Sequence, residues 1–155
     1  MKARMLAASL VLCFAGVVMC HAEDVNLGSW KLNEAKSKFS PGAPKTTMAV
    51  YEAAGDDIKV TLDGTGFDGQ PVHTEWTGKF DGKDYAVTGD SHQSSRSYVK
   101  VNSHTIKIKV KSGDKVILSG RLVVAPDGKS RTVTASGTSA DGKMNYNYTA
   151  VYDKQ

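Results

Sequence analysis

Tyrosine side chains on a predicted last strand are among the residues of this sequence best suited to binding a ligand. Tyr146, Tyr148 and Tyr152 are separated by even numbers of residues, so they share one face of a strand. If that face points into the protein, the hydroxyl groups could orient the polar end of a ligand. The same spacing also fits inward packing without a ligand, or an outward aromatic ladder between strands.

Two arginines within predicted strands are candidates for holding an anionic group. Arg96 stands two residues before Tyr98, and Arg121 is spaced to share one strand face with Ile117 and Val123. A guanidinium inside an apolar barrel is costly unless it is paired, so an inward arginine would call for an anionic partner. The alternative is a surface arginine whose stem lies along the sheet. The predicted ligand-binding residues are Trp76, Arg96, Tyr98, Arg121, Tyr146 and Tyr148.

Arrangements that could support catalysis or bind a metal have little support. The sequence contains no Gly-x-Ser-x-Gly motif, which is typical of one large class of serine hydrolases. His73 and Glu75 share one strand face, and His92 and His104 could approach from neighbouring strands, but a zinc site would need a third ligand at about 2.1 Å. We therefore predict no catalytic residues, no metal site and no cofactor, and a protein that is not an enzyme.

The first 22 residues have the three-part pattern of a cleaved secretory signal. A short basic stretch precedes an uncharged run from Met5 to Met19, and residues 20–22 (Cys-His-Ala) offer a cleavage site. The alternatives are lipidation at Cys20 and a retained anchor, although the apolar run is shorter than the roughly 18 to 20 residues that span a membrane. Cleavage predicts a periplasmic or secreted protein with a single domain, residues 23–155, that lacks cysteine and has no membrane span.

Charge argues against a nucleic-acid partner. The chain has 20 Lys and Arg residues against 16 Asp and Glu residues, and two of the basic residues belong to the predicted signal. The 18 basic residues that remain do not form the dense patch or stripe that nucleic-acid binding needs.

The region after the signal predicts strands and tight turns almost throughout. Ile106, Ile108 and Val110 alternate with three lysines, the period-two pattern of a strand with one buried face. Asp-Gly recurs at five positions, and both residues tolerate the backbone of hairpin turns. We count about ten strands joined by short links, apart from the irregular stretch 34–45, so consecutive strands should pair antiparallel. Because a meander of this size must close or cover its edges, we predict an all-β, up-and-down barrel, with a β-sandwich as the alternative.

A short motif near the start of this region carries a family resemblance. Gly28-Ser29-Trp30 resembles the first strand of lipocalins and fatty-acid-binding proteins, the calycin barrels. The resemblance implies a lipocalin-like barrel in which Gly28 and Trp30 form a plug at one end, while the first strand closes against the last. The run from Gly28 to Gly42, with the later Asp-Gly-Lys turns, is also similar to exported bacterial proteins.

Two classes of function compete at this level. The leading hypothesis is an exported, non-catalytic β-barrel that binds a small, partly apolar ligand, because the calycin resemblance implies a lumen and the predicted interior is rich in aliphatic and aromatic residues. The alternative is an envelope protein-binding module, an inhibitor or scaffold, that contacts a protein partner through loops such as residues 34–45 and 89–95.

Overall fold

The computed structural model describes residues 24–155, which contain eleven strands, one single-turn 3-10 helix (Glu34–Lys36) and no helix with the length and apolar character to cross a membrane. The predicted signal peptide, residues 1–22, and the predicted first residue after it, Glu23, lie outside the described residues. The strands are β1 (Gly28–Leu32), β2 (Lys38–Phe39), β3 (Lys45–Ala54), β4 (Asp57–Thr65), β5 (Pro71–Gly78), β6 (Tyr85–Ala86), β7 (Ser95–Asn102), β8 (Thr105–Ser112), β9 (Lys115–Val124), β10 (Ser130–Thr138) and β11 (Asn145–Lys154).

All the strands belong to one antiparallel sheet whose order follows the chain. Strands β3 to β5 and β6 to β11 are neighbours in sequence order, and β1 lies between β3 and β11. The first strand is therefore hydrogen-bonded to the last, with Trp30 opposite Lys154. At the remaining junction, the backbones of Glu75 and Thr88 exchange hydrogen bonds of 3.1 and 2.9 Å. The predicted up-and-down meander is confirmed as a nearly closed barrel, consistent with a calycin-like barrel and not with a sandwich.

Alternation decides which side chains fill the barrel. In β8, Ile106, Ile108 and Val110 are at most 7% exposed, whereas the intervening Lys107 and Lys109 face solvent. The predicted orientation of this strand is confirmed. Inward aliphatic and aromatic side chains of this kind form the core and leave the charged side chains on the outer wall.

A β-bulge interrupts this alternation in β9. The pairing between β8 and β9 shifts by one residue at Ile117, and such a shift reverses the facing of every later side chain. Ile117 is consequently buried, while Arg121 and Val123 are exposed on the outer wall. The prediction that Arg121 shares a face with Ile117 is wrong, and of the two orientations open for Arg121 the structure has the outward one.

The stretch predicted as an irregular loop, residues 34–45, is largely tied to the sheet. After the 3-10 helix, β2 pairs with β11 and places Phe39 opposite Tyr148. The hydroxyl of Ser37 accepts a 2.9 Å hydrogen bond from the backbone N–H of Val151. Residues 37–40 of this segment are therefore hydrogen-bonded to β11.

Trp30 closes one end of the barrel. Its side chain is fully buried, and its indole N–H donates a 3.1 Å hydrogen bond to the carbonyl oxygen of Asn26. The guanidinium of Arg131 lies 4.7 Å from the centroid of the Trp30 ring, and 4.5 and 5.2 Å from those of Tyr51 and Tyr152. Nε and Nη1 of Arg131 have no hydrogen-bond partner among the described residues, so the ring faces are what stabilise its buried charge.

Backbone geometry explains why the Gly-x-Trp motif begins with a glycine. Gly28 adopts a φ of +110°, and a Cβ there would lie 2.8 Å from Cε of Lys154, so a side chain would be strained and crowded. Trp30 lies near the end of β11 that carries Tyr152.

Replacing Trp30 with alanine should lower the free energy of unfolding by about 3 to 5 kcal/mol, because the change opens a cavity at the closed end. As a matched control, Lys31→Ala on the exposed face of the same strand should change it by no more than about 0.5 kcal/mol. Denaturant unfolding measures both. Equal losses in the two variants would contradict the closed end described above.

Candidate functional site

The lumen contains two adjacent chambers beyond the Trp30 end. The outer chamber, of about 70 Å³, lies toward the opposite end and is lined by residues that include Phe67, Gln93, Arg96, Val110, Ile117 and Tyr146. The inner chamber, of about 50 Å³, is lined by residues that include Tyr51, Tyr98, Ile108, Arg131 and Val133. The two spaces meet at the five residues that line both chambers, which are Thr46, Leu62, Arg96, Leu118 and Tyr148.

A surface pocket of about 320 Å³, which we call the vestibule, lies outside the outer chamber. It is lined by loop residues that include Phe67, His92, Ser139 and Met144. Phe67 and His92 line the outer chamber as well, and the ring of Phe67 packs edge-on against Tyr146 with centroids 5.0 Å apart. A route from solvent to the lumen therefore leads past Phe67 and His92.

Arg96 places a positive charge between the two chambers. Its Nε and Nη2 donate hydrogen bonds of 2.9 and 2.7 Å to Oε1 of Gln93, and its Nη1 donates one of 3.2 Å to the hydroxyl of Tyr98. Burial lowers the pKa of Arg96 and the neighbouring Tyr98 raises it, with a net upward shift. No carboxylate in residues 24–155 forms an ion pair with this guanidinium. The lumen thus holds a charged donor group whose partners are both neutral.

The structure brings four of the six predicted ligand-binding residues to the chambers: Arg96, Tyr98, Tyr146 and Tyr148. Trp76 lines neither chamber, and its ring packs against Tyr98 with centroids 4.7 Å apart. Arg121 lies on the outer wall because of the bulge in β9. The tyrosine face of β11 points inward, so the alternative of an outward aromatic ladder does not occur.

Sequence reasoning missed three residues of this region. Arg131 shares the inward face of β10 with Val133 and Ala135. A charged residue in a row of apolar ones was the sequence signal that could have identified it. Phe67 and Gln93 belong to loops. Nothing in their sequence neighbourhood indicates that they reach the lumen.

The histidines lie in different parts of the molecule. On the outer wall, Nδ1 of His73 lies 2.6 Å from Oδ1 of Asp63. His92 belongs to the vestibule, and His104 contacts the carbonyl oxygen of Val124 near the closed end. No group of three His, Cys, Asp or Glu residues in the part of the chain that the structure describes could hold a metal ion.

Comparisons with known proteins find only limited similarity to this chain. No protein family matches the chain, and no curated protein matches it. Two similar solved structures are EF1p2_mFAP2b bound to DFHBI, with 12% identity and a TM-score of 0.49, and a redesigned β-barrel, mFAP1, bound to DFHBI, with 11% identity and a TM-score of 0.45. Each match covers 84% of this chain, and 94% and 95% of the other. At such low identity the likeness extends no further than the course of the chain.

The tyrosines of the lumen should make the protein sensitive to alkali. Burial raises the pKa of Tyr146 and of Tyr152 from 10.0 to about 12, and that of Tyr148 still further. The pKa of each of these hydroxyl groups is higher in the folded chain than in the unfolded chain. The free energy of unfolding therefore keeps its full value below pH 10.0 and falls as the pH rises through about 12. Unfolding free energies measured across this range should fall, less steeply in Tyr146→Phe. Identical tyrosinate absorbance curves for the native and the denatured chain would contradict the burial of these hydroxyl groups.

Proposed function

We propose that this protein acts by binding rather than by catalysis, and that a small, partly apolar ligand enters the barrel from the vestibule. The observation that carries the proposal is Arg96, a charged donor group held between two chambers without a carboxylate partner among residues 24–155. A few polar groups within a mostly apolar wall are typical of small-molecule sites. Ile117, Val110 and Tyr146 supply that wall in the outer chamber.

The sizes of the three spaces suggest how a ligand would be seated. The vestibule, of about 320 Å³, lies at the lower end of the roughly 300 to 1,000 Å³ that small-molecule sites occupy. The chambers of about 70 and 50 Å³ have room for only small groups or a few water molecules. One end of the ligand therefore occupies the outer chamber, and the remainder fills the vestibule.

The proposal includes export, which rests on the signal pattern in residues 1–22. Protein recovered from outside the cytoplasm should begin at Glu23, and N-terminal sequencing measures this directly. A chain that keeps its first residues, or a diacylglycerol-modified Cys20, would contradict cleavage after Ala22.

A neutral apolar dye such as N-phenylnaphthylamine should bind the folded protein with a stoichiometry of one. Leu118 lines both chambers, so Leu118→Phe should fill the space and weaken dye binding about tenfold or more, a loss of about 1.4 kcal/mol. Val123→Phe, on the exposed outer face of the same strand, is the matched control and should bind the dye like the wild type. Dye fluorescence measures all three affinities.

Two results would count against the proposed lumen site. Equal dye binding by the Leu118→Phe variant would place the dye outside the chambers. If the folded wild type does not bind the dye, the alternative of a protein-binding module is favoured. Its candidate surface would then be the loop before β7, because residues 34–45 are mostly tied to the sheet.

A further inference from the structure

One side of the barrel, formed by β7 to β10, carries basic side chains and no acidic ones within its strands. None of these four strands contains an Asp or Glu residue. Lys107 and Lys109 of β8 and Arg121 of β9 are exposed there, and none of the three forms an ion pair with a carboxylate of the described chain. Two other lysines of these strands, Lys100 and Lys111, are paired with aspartates outside them. We call the surface of Lys107, Lys109 and Arg121 the basic wall.

Strand register places the charges of the basic wall side by side. Lys107 lies directly opposite Arg121 in the pairing of β8 with β9, and like charges in opposite positions are destabilising. Lys109, two residues further along β8, lies opposite Ser119, whose hydroxyl group brings no negative charge. An arrangement that costs stability within the chain becomes favourable when an anionic surface covers it, because the summed positive potential then attracts that surface.

Exposed aliphatic side chains flank the basic wall. The large apolar side chains that are exposed among the described residues, by 39 to 50%, all belong to β7 or β9, the strands on either side of β8: Val99, Val101, Val116 and Val123. Val99 lies opposite Lys107 in the pairing of β7 with β8, and Val123 shares the outer face of β9 with Arg121. Cationic and aliphatic contacts are therefore available together on this side of the barrel.

The distribution of these side chains favours a lipid surface over other anionic partners. Interfaces between proteins have an apolar centre that is depleted of charged residues, whereas here the charges lie in the centre and the valines at the flanks. A second copy of the same wall would oppose cations to cations. Nucleic-acid binding needs a denser patch of positive charge than three cations. A bilayer with anionic headgroups attracts each lysine or arginine near its surface and offers the valines an apolar boundary beneath the headgroups.

We propose that this protein docks side-on to membranes that contain anionic lipids, with the basic wall against the headgroup phosphates. Lys107, Lys109 and Arg121 supply the electrostatic attraction, and Val99 and Val123 contact the lipid beside them. The inference goes beyond the proposed function and does not depend on it, because none of these five side chains lines either chamber or the vestibule.

Vesicles made of equal parts of phosphatidylglycerol and phosphatidylcholine are the probe, and co-sedimentation with protein recovered from outside the cytoplasm measures the affinity. The wild type should bind these vesicles and should not bind vesicles of phosphatidylcholine alone. At an ionic strength of about 0.1 M, charges more than about 10 Å from the lipid are largely screened. Only the side chains that face the membrane should therefore affect the affinity under this condition.

Charge substitutions test which side of the barrel meets the lipid. Lys109→Gln should weaken binding to the anionic vesicles about fivefold and Lys109→Glu about thirtyfold, since each positive charge near the surface contributes a similar factor. Arg121→Gln should match Lys109→Gln, which keeps the proposal testable if one variant does not fold. Lys31→Gln and Lys31→Glu make the same changes in net charge on exposed β1, which three strands separate from β8, and should bind like the wild type.

Four outcomes would overturn the proposal. The wild type could leave the anionic vesicles unbound, or could bind vesicles of phosphatidylcholine equally well. The Lys31 variants could lose as much affinity as the Lys109 variants, which would mean that net charge and not the basic wall decides binding. Finally, duplex DNA could bind in a manner that depends on Lys109 while the vesicles do not, which would assign the wall to a nucleic acid. The affinity of Lys109→Gln for N-phenylnaphthylamine should equal that of the wild type, so the lumen site and the basic wall are tested separately.

Discussion

The structure depends above all on the stacking of one buried guanidinium against three aromatic rings. Arg131 of β10 lies over Trp30 of β1, Tyr51 of β3 and Tyr152 of β11, and these four strands are adjacent in the sheet. The contact therefore joins the first strand to the last and closes one end of the barrel at the same place. Because the ring faces give the guanidinium the electrostatic stabilisation that a carboxylate would otherwise give, the cation can stay buried. The spaces that remain in the lumen lie toward the opposite end.

A barrel built in this way holds two guanidinium groups in its interior, and neither forms an ion pair with a carboxylate of residues 24–155. Arg96 and Arg131 both line the inner chamber. Arg96 donates hydrogen bonds to the hydroxyl of Tyr98 and the amide oxygen of Gln93, whereas Arg131 lies over ring faces. Charges of this kind are costly in a core that serves only for packing, where aliphatic side chains of similar volume are often at least as stabilising. The presence of Arg96 is understandable if the lumen binds a ligand with a polar end, since its guanidinium can then donate hydrogen bonds to that end.

Much of the fold could be predicted from the sequence, because alternation and turn residues act locally. The lysine-bearing strand β8 shows this, and the Gly-x-Trp motif predicted the pairing of the first and last strands. The candidate site was less predictable. The single extra residue at Ile117 turned Arg121 outward, and a bulge arises from pairing with a neighbouring strand, which one strand's sequence does not show. Gln93 meets Arg96 only because a loop folds over the open end, a long-range event without a local pattern.

The claim that the lumen receives a ligand beside Arg96 is tested most directly by nuclear magnetic resonance of the arginine side chains. The Nε–Hε signal of Arg96 should shift in a saturable manner when N-phenylnaphthylamine is added, while the signal of the outward-facing Arg121 stays in place. An Arg96 signal that remains unchanged while the dye saturates other signals, such as those of the outer wall, would contradict the account.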